Sequence, residues 1–450
     1  MLQLLQNVKL FKILVDLLKF KYTMKKLIIL FFLTAFIGLQ AQNQKIDKYI
    51  NDIESKVIDW RRDFHETPEL SNREFKTAEK IAKHLKSLGL EVQTGIAHTG
   101  VVGILKGGKP GPVVALRADI DGLPVTERVP VSFASKVKSE YNGIETGVMH
   151  ACGHDTHIAI LMGTAEVLSK IKKDIKGTVK FIFQPAEEGT PPGENGGAKM
   201  MVEENVLKNP DVDAIFGLHI SAGMSVNHIS YRPAGIMAAS QRFVVKVKGK
   251  QTHGSRPWGG IDPIVISAQI INGLQTIISR DTELTKEAAV ITVGLIRGGV
   301  RSNIIPEEVE MIGTIRTLDY DMQKKLNAEM KRRVPAIAEA FGGKATIEID
   351  SGYPITYNDV KLTAKMLPSL QKVAGKENVH LINAITGAED FSYFQKEVPG
   401  LYFFLGGKPL DVKPEDAASH HTPDFFIDES GLKLGVKAFV NLTLDYMNKH

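Results

Sequence analysis

The chain has 450 residues, 43% of them apolar and 24% charged, with 40 glycines and 20 prolines. This is the composition of an ordinary globular protein, and the length is too great for one small core, so two domains are expected. The formal charge of +5 comes from the start of the chain, where residues 1–41 hold six lysines against one acid; without them the 56 basic and 51 acidic residues become 50 of each. The body therefore carries no basic footprint for phosphates, and a nucleic-acid partner is not expected.

Residues 24–41 have the form of a signal peptide. Met24-Lys25-Lys26 is charged, Leu27 to Leu39 is apolar, and Gln40-Ala41-Gln42 is a cleavage region. Thirteen apolar residues are short for a membrane span of about twenty; the alternative is an uncleaved anchor. Residues 1–23 precede this second methionine and read as an extension from a misassigned start, with an amphipathic membrane-surface leader as the alternative. Export to the periplasm or the medium is the expectation. The single cysteine forms no intrachain disulfide.

Asp47 to Leu88 has helical period, broken by Pro68 and closed near Gly89. Val101 to Leu105 and Val113 to Leu116 are apolar strands with a Gly-rich turn between them. A buried helix over Thr156 to Ile171, a strand over Thr178 to Phe183, a helix through Ala198 to Glu204 and a strand over Ala214 to Leu218 follow. This alternation predicts an α/β layer with a mixed, mainly parallel sheet, in which ligands gather at strand C-termini. The rhythm changes near Ala238. Strands over Arg242 to Lys248, Ala289 to Ile296, Val309 to Arg316 and Ala345 to Ile349, with helices over Asp262 to Arg280 and Met322 to Phe341, give the β-α-β-β-α-β order of a ferredoxin-like α+β unit. Leu362 to Val373 is then helical and Leu401 to Leu405 a strand. A small domain over 238–352 is thus expected inside a larger one over 45–237 and 353–450.

Four segments carry chemistry. Cys152 and His154 lie two apart around Gly153; Glu187 and Glu188 follow a buried strand and a proline; His219 follows another strand; His420 and His421 are adjacent near the C-terminus. Thiolate, imidazole and carboxylate suit divalent transition metals, and a second carboxylate beside a ligating one supplies the base of metal-assisted hydrolysis. The pattern reads as a two-metal hydrolase. The rival readings are a buried inert cysteine, a solvated Glu-Glu pair, a hydrogen-bonded rim histidine at 219, and a zinc face from His150, His154 and His157. The last lacks a His-Glu-x-x-His pattern. The choice between His420 and His421 stays open on chemistry alone. Asp119 and Asp121 follow a strand and are candidates to orient a ligating histidine. His253, in a loop of the small domain, is a candidate oxyanion donor. Asn303 and Arg316 are candidates to hold a substrate carboxylate, although Arg316 could instead pair with a nearby acid.

Nine ordered segments together resemble the co-catalytic metallopeptidase family of hippuricases, N-acyl-amino-acid amidohydrolases and indole-acetyl-amino-acid hydrolases. They are Arg62 to His65 with Pro68-Glu69-Leu70, Leu116 to Pro124, Met149 to His157, Gln184 to Gly189, Gly217-Leu218-His219, His253-Gly254, Asn303 to Pro306, Gly387 to Phe391, and His421-Thr422-Pro423. The resemblance covers about Ile46 to Asn448. It implies a catalytic α/β domain with an inserted lid that often dimerises, and two divalent ions, Zn²⁺ or Mn²⁺. It also implies Cys152, His154, Glu188, His219 and His421 as their ligands and Glu187 as general base. It implies His253 as a donor often contributed by the neighbouring subunit, and Glu389 with Asp390 on the substrate side. The expected reaction is hydrolysis of the amide of an N-acyl amino acid. An exported di- or carboxypeptidase acting on short peptides, and a catalytically silent metal or peptide receptor, are the alternatives.

Overall fold

The computed structural model describes residues 44–449. The expected extension, signal peptide and cleavage region lie outside these residues. The described residues divide into two units, 44–54 and 55–449. In the first, residues 44–54 are helical, with an exposed Lys48–Asp52 pair of 2.6 Å one turn apart. Among the described residues no helix is long and apolar enough to cross a membrane.

The second unit opens with helical residues 55–66; after a break at Pro68 comes the helix Phe75–Ser87, and Gly89 (φ +74°) then turns the chain away. The strands, in chain order, begin with β1 (Glu91–Ile96), β2 (Gly100–Lys106) and β3 (Lys109–Asp119). A hairpin of β4 (Lys138–Tyr141) and β5 (Ile144–Gly147) follows, then β6 (Lys176–Gln184), β7 (Ala214–Ser225), β8 (Ile229–Tyr231) and β9 (Ala234–Met237). Next come β10 (Ala239–Lys248), β11 (Thr252–His253), β12 (Ala289–Gly298), β13 (Ile304–Ile305), β14 (Glu308–Thr317) and β15 (Lys344–Ile349). The last are β16 (Thr356–Asn358), β17 (Val379–Leu381) and β18 (Gly400–Lys408).

Eight strands make one sheet in the order β1-β2-β6-β3-β7-β18-β8-β17. Its centre, β6-β3-β7-β18, is parallel, and β1 and β2 add antiparallel strands at one side. The expected turn between β2 and β3 does not make a hairpin: β6 lies between them, antiparallel to one and parallel to the other. The central strands β6 and β18 are buried along almost their whole length because both faces are covered, as parallel sheets require. The helix His154–Lys170 is buried from its first residue to Leu168, and Leu432–Asn448 packs beside it.

A second sheet, β12-β14-β10-β15, is wholly antiparallel and has the strand order of a ferredoxin-like unit. Phe243, Val245 and Val247 point to one face of β10 while Arg242, Lys246 and Lys248 alternate with them. Against that apolar face pack Ile266, Ile270 and Leu274 of helix Pro263–Thr276 and Leu326, Met330, Val334 and Ala338 of helix Tyr320–Ala340, each set at helical spacing. Both helices start on an aspartate: Asp262 accepts from the N–H of Ile264 and Val265, and Asp319 from that of Met322.

Two boundaries matter for chemistry. β7 runs on to Ser225, so His219 lies inside a strand rather than past its end; β3 pairs with β7 only as far as Gly217, which bares the edge at His219. The helix after Cys152 starts at His154, with Gly153 at φ +94° before it, and a Cβ there would stand 2.3 Å from Ile220 Cγ2. Gly153→Ala is therefore expected to cost about 2–4 kcal/mol, from left-handed strain plus overpacking; urea unfolding monitored by circular dichroism measures it.

Candidate active site

The segment after β6 carries the two glutamates, and three bonds hold it. Ala186 takes φ +52°. Its N–H donates to Glu74 Oε1 at 2.9 Å, the N–H of Glu188 donates to Asp121 Oδ2 at 3.0 Å, and the Tyr353 hydroxyl donates to the carbonyl of Glu187 at 2.9 Å. Burial, with Asp121 nearby, pushes the Glu74 carboxyl up to about 8. Opposite, Asp121 accepts from His154 Nδ1 through both its carbonyl (2.9 Å) and Oδ1 (3.1 Å), which turns Nε2 inward. Asp119 instead accepts from His157 Nδ1 at 2.5 Å, and its other oxygen accepts from Arg117. His157 Nε2 accepts from the N–H of Ile220, so His157 is occupied within the fold, and the His150–His154–His157 face is not assembled.

Cys152 is the centre of the constellation. Its Sγ lies 3.3 Å from His219 Nε2 and 3.2 Å from His421 Nε2, and His421 Nε2 lies 3.1 Å from Glu188 Oε1. His154 Nε2 stands 3.9 Å from Glu188 Oε1 and 3.8 Å from Glu187 Oε2. Two donors bound to one zinc at about 2.0–2.3 Å lie roughly 3–4 Å apart, so these separations fit shared cations. Two triads, Cys152–His154–His219 and Cys152–Glu188–His421, have the thiol in common, and His154–Glu187–Glu188 forms a third group. His154 Nε2 is buried with no hydrogen-bond partner, as expected of an atom that faces an ion. The structure also separates the adjacent histidines. His420 Nε2 accepts from the N–H of Ala222 and its Nδ1 meets the carbonyl of Cys152; only His421 joins the carboxylate group.

The electrostatics match this donor set. Burial, then Glu389 and Glu188, push the Glu187 carboxyl far above the carboxylate range. Burial, then Glu188 and Glu187, push the Cys152 thiol up. Burial opposes protonation of His154, but Asp119 and Asp121 outweigh it and raise the pKa to about 10. Neighbouring carboxylates contribute to each shift, and divalent cations would offset their charge. The buried counter-cation beside these acids is Arg117. Its guanidinium donates to Gln184 (2.7 Å), Asp119 (2.6 Å), Glu389 (2.9 Å) and Asp390 (3.0 Å), and it is almost wholly inaccessible.

The site opens into a cavity of about 480 Å³ lined by Cys152, Glu187, Glu188, His219, His421 and Arg316 among others. Arg316, on β14, has no acid partner among the described residues, and burial lowers its pKa; the alternative of an ion pair is not realised. Glu389 borders the cavity, but its oxygens are taken by Arg117, by the Tyr402 hydroxyl (2.5 Å) and by the N–H of Phe391. These bonds tie it into the buried charge network at the cavity's edge. His253 and Asn303 are exposed on β11 and the loop before β13, joined by a Gly254 N–H to Asn303 carbonyl bond of 2.8 Å, and neither lines the cavity.

Tyr353, Glu74 and the role of Arg117 are not legible in the sequence. Arg117 sits in the Leu116 to Pro124 segment, while Tyr353 follows β15 with no local signal. Of the surface histidines, His84 bonds the carbonyl of Met162, and His228 stacks on His380 with 2.7 Å between ring nitrogens. Arg117→Met is expected to cost about 3–5 kcal/mol, the usual effect of stranding buried charges. Asp119, which Arg117 holds below the usual carboxylate range, would then titrate higher, so the deficit should grow as pH increases through that range; urea midpoints from pH 4 to 8 test both.

A profile described as peptidase family M20/M25/M40 matches residues 115–445. Thermostable carboxypeptidase 2 of Saccharolobus solfataricus is 41% identical over 408 residues, covering 90% of this chain and 99% of that protein. An N-acetylcysteine deacetylase of Bacillus subtilis is 35% identical over 391 residues, covering 87% and 96%. The crystal structure of Bacillus subtilis YXEP, described as a dinuclear metal binding peptidase from the M20 family, superposes with a TM-score of 0.74 at 33% identity, covering 89% of this chain and all of that one. The chain is a hydrolase that belongs to peptidase family M20/M25/M40.

Proposed function

We propose that the protein hydrolyses the amide joining an acyl group to an amino acid, releasing a carboxylic acid and the free amino acid, with two divalent ions, Zn²⁺ or Mn²⁺, held by Cys152, His154, Glu188, His219 and His421. The observation that carries this reading is the unpaired Arg316 in the same cavity as the Cys152 donor set. A cation with five donors and no protein acid suits the free carboxylate of an amino acid. A deacetylase and a carboxypeptidase among the relatives are both consistent with a substrate ending in an amino acid.

Divalent ions at such a site polarise the scissile carbonyl and make water acidic enough to attack near neutral pH. The chain's own groups do the rest. Glu187, set beside the donor triads and held at its carbonyl by Tyr353, takes the proton of the attacking water and passes it to the leaving amine. Arg316 fixes the carboxylate arm. We assign His253 and Asn303, which are absent from the cavity of their own chain, to the cavity of a second copy in a homodimer formed through the β10–β15 domain. There His253 would donate to the developing oxyanion. An exported short-peptide carboxypeptidase is the second reading, favoured by the relative in Saccharolobus; Glu187 argues against a silent receptor.

Glu187→Gln is expected to retain two equivalents of metal by dialysis while turnover falls about 10²–10⁴-fold; near-normal turnover would refute the base assignment. N-acyl amino acids compared with dipeptides, after chelation and reloading with defined metals, separate the first two readings. Mixed dimers of Glu187→Gln and His253→Ala subunits should regain activity; none in verified heterodimers would reject the partner-supplied histidine. In a secreting host, mass spectrometry should find a mature terminus following Ala41 if residues 24–41 direct export.

A further inference from the structure

A second cleft adjoins the site at Glu188. It encloses about 290 Å³, and Glu188 is the one lining residue that it shares with the Arg316 cavity. Its apolar surface comes from Leu70, Leu123, Pro124, Tyr141, Pro191 and Pro192. The floor is fixed by backbone bonds: Gly122 N–H donates to the carbonyl of Glu69 at 2.7 Å, and Leu123 exchanges bonds of 2.9 and 3.0 Å with Met149. The opposite wall is the β4–β5 hairpin, closed by Asn142 and Gly143 at φ +54° and +79°, the pair of conformations a two-residue hairpin turn demands. Its base is tied back by Thr126 Oγ1, which accepts from the N–H of Gly147 at 3.1 Å. Both walls are thus in place before a ligand arrives.

We infer that this cleft is the subsite for the acyl arm of the substrate and that it selects a neutral, apolar acyl group. This rests on the amide-hydrolase reading above. An amide whose carbonyl lies at the reaction centre has two arms leaving in opposite directions. The cavity with the unpaired Arg316 takes the arm that ends in carboxylate. The cleft beyond Glu188 offers no such cation among its lining residues: Arg73 is paired to Glu194 at 2.6 Å, and Glu140 adds negative charge. A second anionic group is repelled there, while an alkyl chain or ring gains from burial against leucine, proline and tyrosine. A cavity of about 150 Å³ lined by apolar side chains holds benzene, so this cleft admits a ring or a medium-length chain.

The test is a series of N-acetyl, N-butanoyl, N-hexanoyl and N-octanoyl derivatives of one amino acid, with kcat/KM measured for each. For the metal-loaded wild type, kcat/KM should rise about 4-fold per methylene that enters the cleft. Ser139→Trp, which fills the cleft, and Tyr141→Lys, which charges it, should each lower the hexanoyl-to-acetyl ratio at least 10-fold. The ratio cancels any loss of folded enzyme. Arg316→Ala should depress every member of the series and leave the ratio in place. A wild-type slope that neither hairpin variant moves would put the acyl arm elsewhere and overturn the inference, as would equal rates along the whole series. Turnover of dipeptides with none of any N-acyl derivative would instead reject the amide-hydrolase reading beneath it.

Discussion

The structure depends on crowding negative groups around one buried guanidinium. Arg117 leaves β3 between the ends of β6 and the Glu389–Asp390 turn and binds acids from β3 and from that turn. Asp121, Glu187, Glu188 and the Cys152 thiol stand within the same region without a lysine or arginine of their own among the described residues. Glu187 and the thiol are largely buried, and burial together with the neighbouring carboxylates drives both toward their neutral forms. Such an arrangement persists because the fold holds it from outside, through the sheet, the buried His154 helix and three bonds on the Ala186 turn, while positive charge supplied from solution relieves it.

That constraint explains why the positioning residues look structural. Asp121 and Tyr353 fix the direction of a donor or base through the hydrogen bonds they make, rather than by reaching the bond to be cleaved. His157 and His420, which share the ligand-bearing segments, are turned instead toward backbone N–H groups. The histidines clustered around the thiol therefore divide into inward-facing donors and supports, and hydrogen bonds to the other ring nitrogen decide which is which.

The two clefts extend the same logic to the substrate. Glu188 borders both the cavity that holds Arg316 and the cleft lined by leucine, proline and tyrosine. On the proposed reading, a bond cleaved between them would be recognised by opposite physical means, Coulombic in one and hydrophobic in the other. The four-stranded sheet contributes Arg316 to this cavity, while the loops between its strands carry His253 and Asn303 away from it.

Much of this is legible in the chain alone. Alternation in Arg242 to Lys248, helical spacing in Ile266 to Leu274 and the apolar run before Gln184 each report local burial, and burial sets period. The ligand types are legible because thiol, imidazole and carboxylate recur in four segments, a set of donors that divalent cations accept. What only the tertiary structure decided was contact between residues far apart in the chain. That β6 enters between β2 and β3, that β7 continues past His219, that His421 rather than His420 meets Glu188, that Tyr353 reaches Glu187, and that Arg316 stays unpaired all depend on strand order and side-chain direction. Periodicity carries no term for either, because it records how deeply a residue is buried and not which distant residue it is buried against.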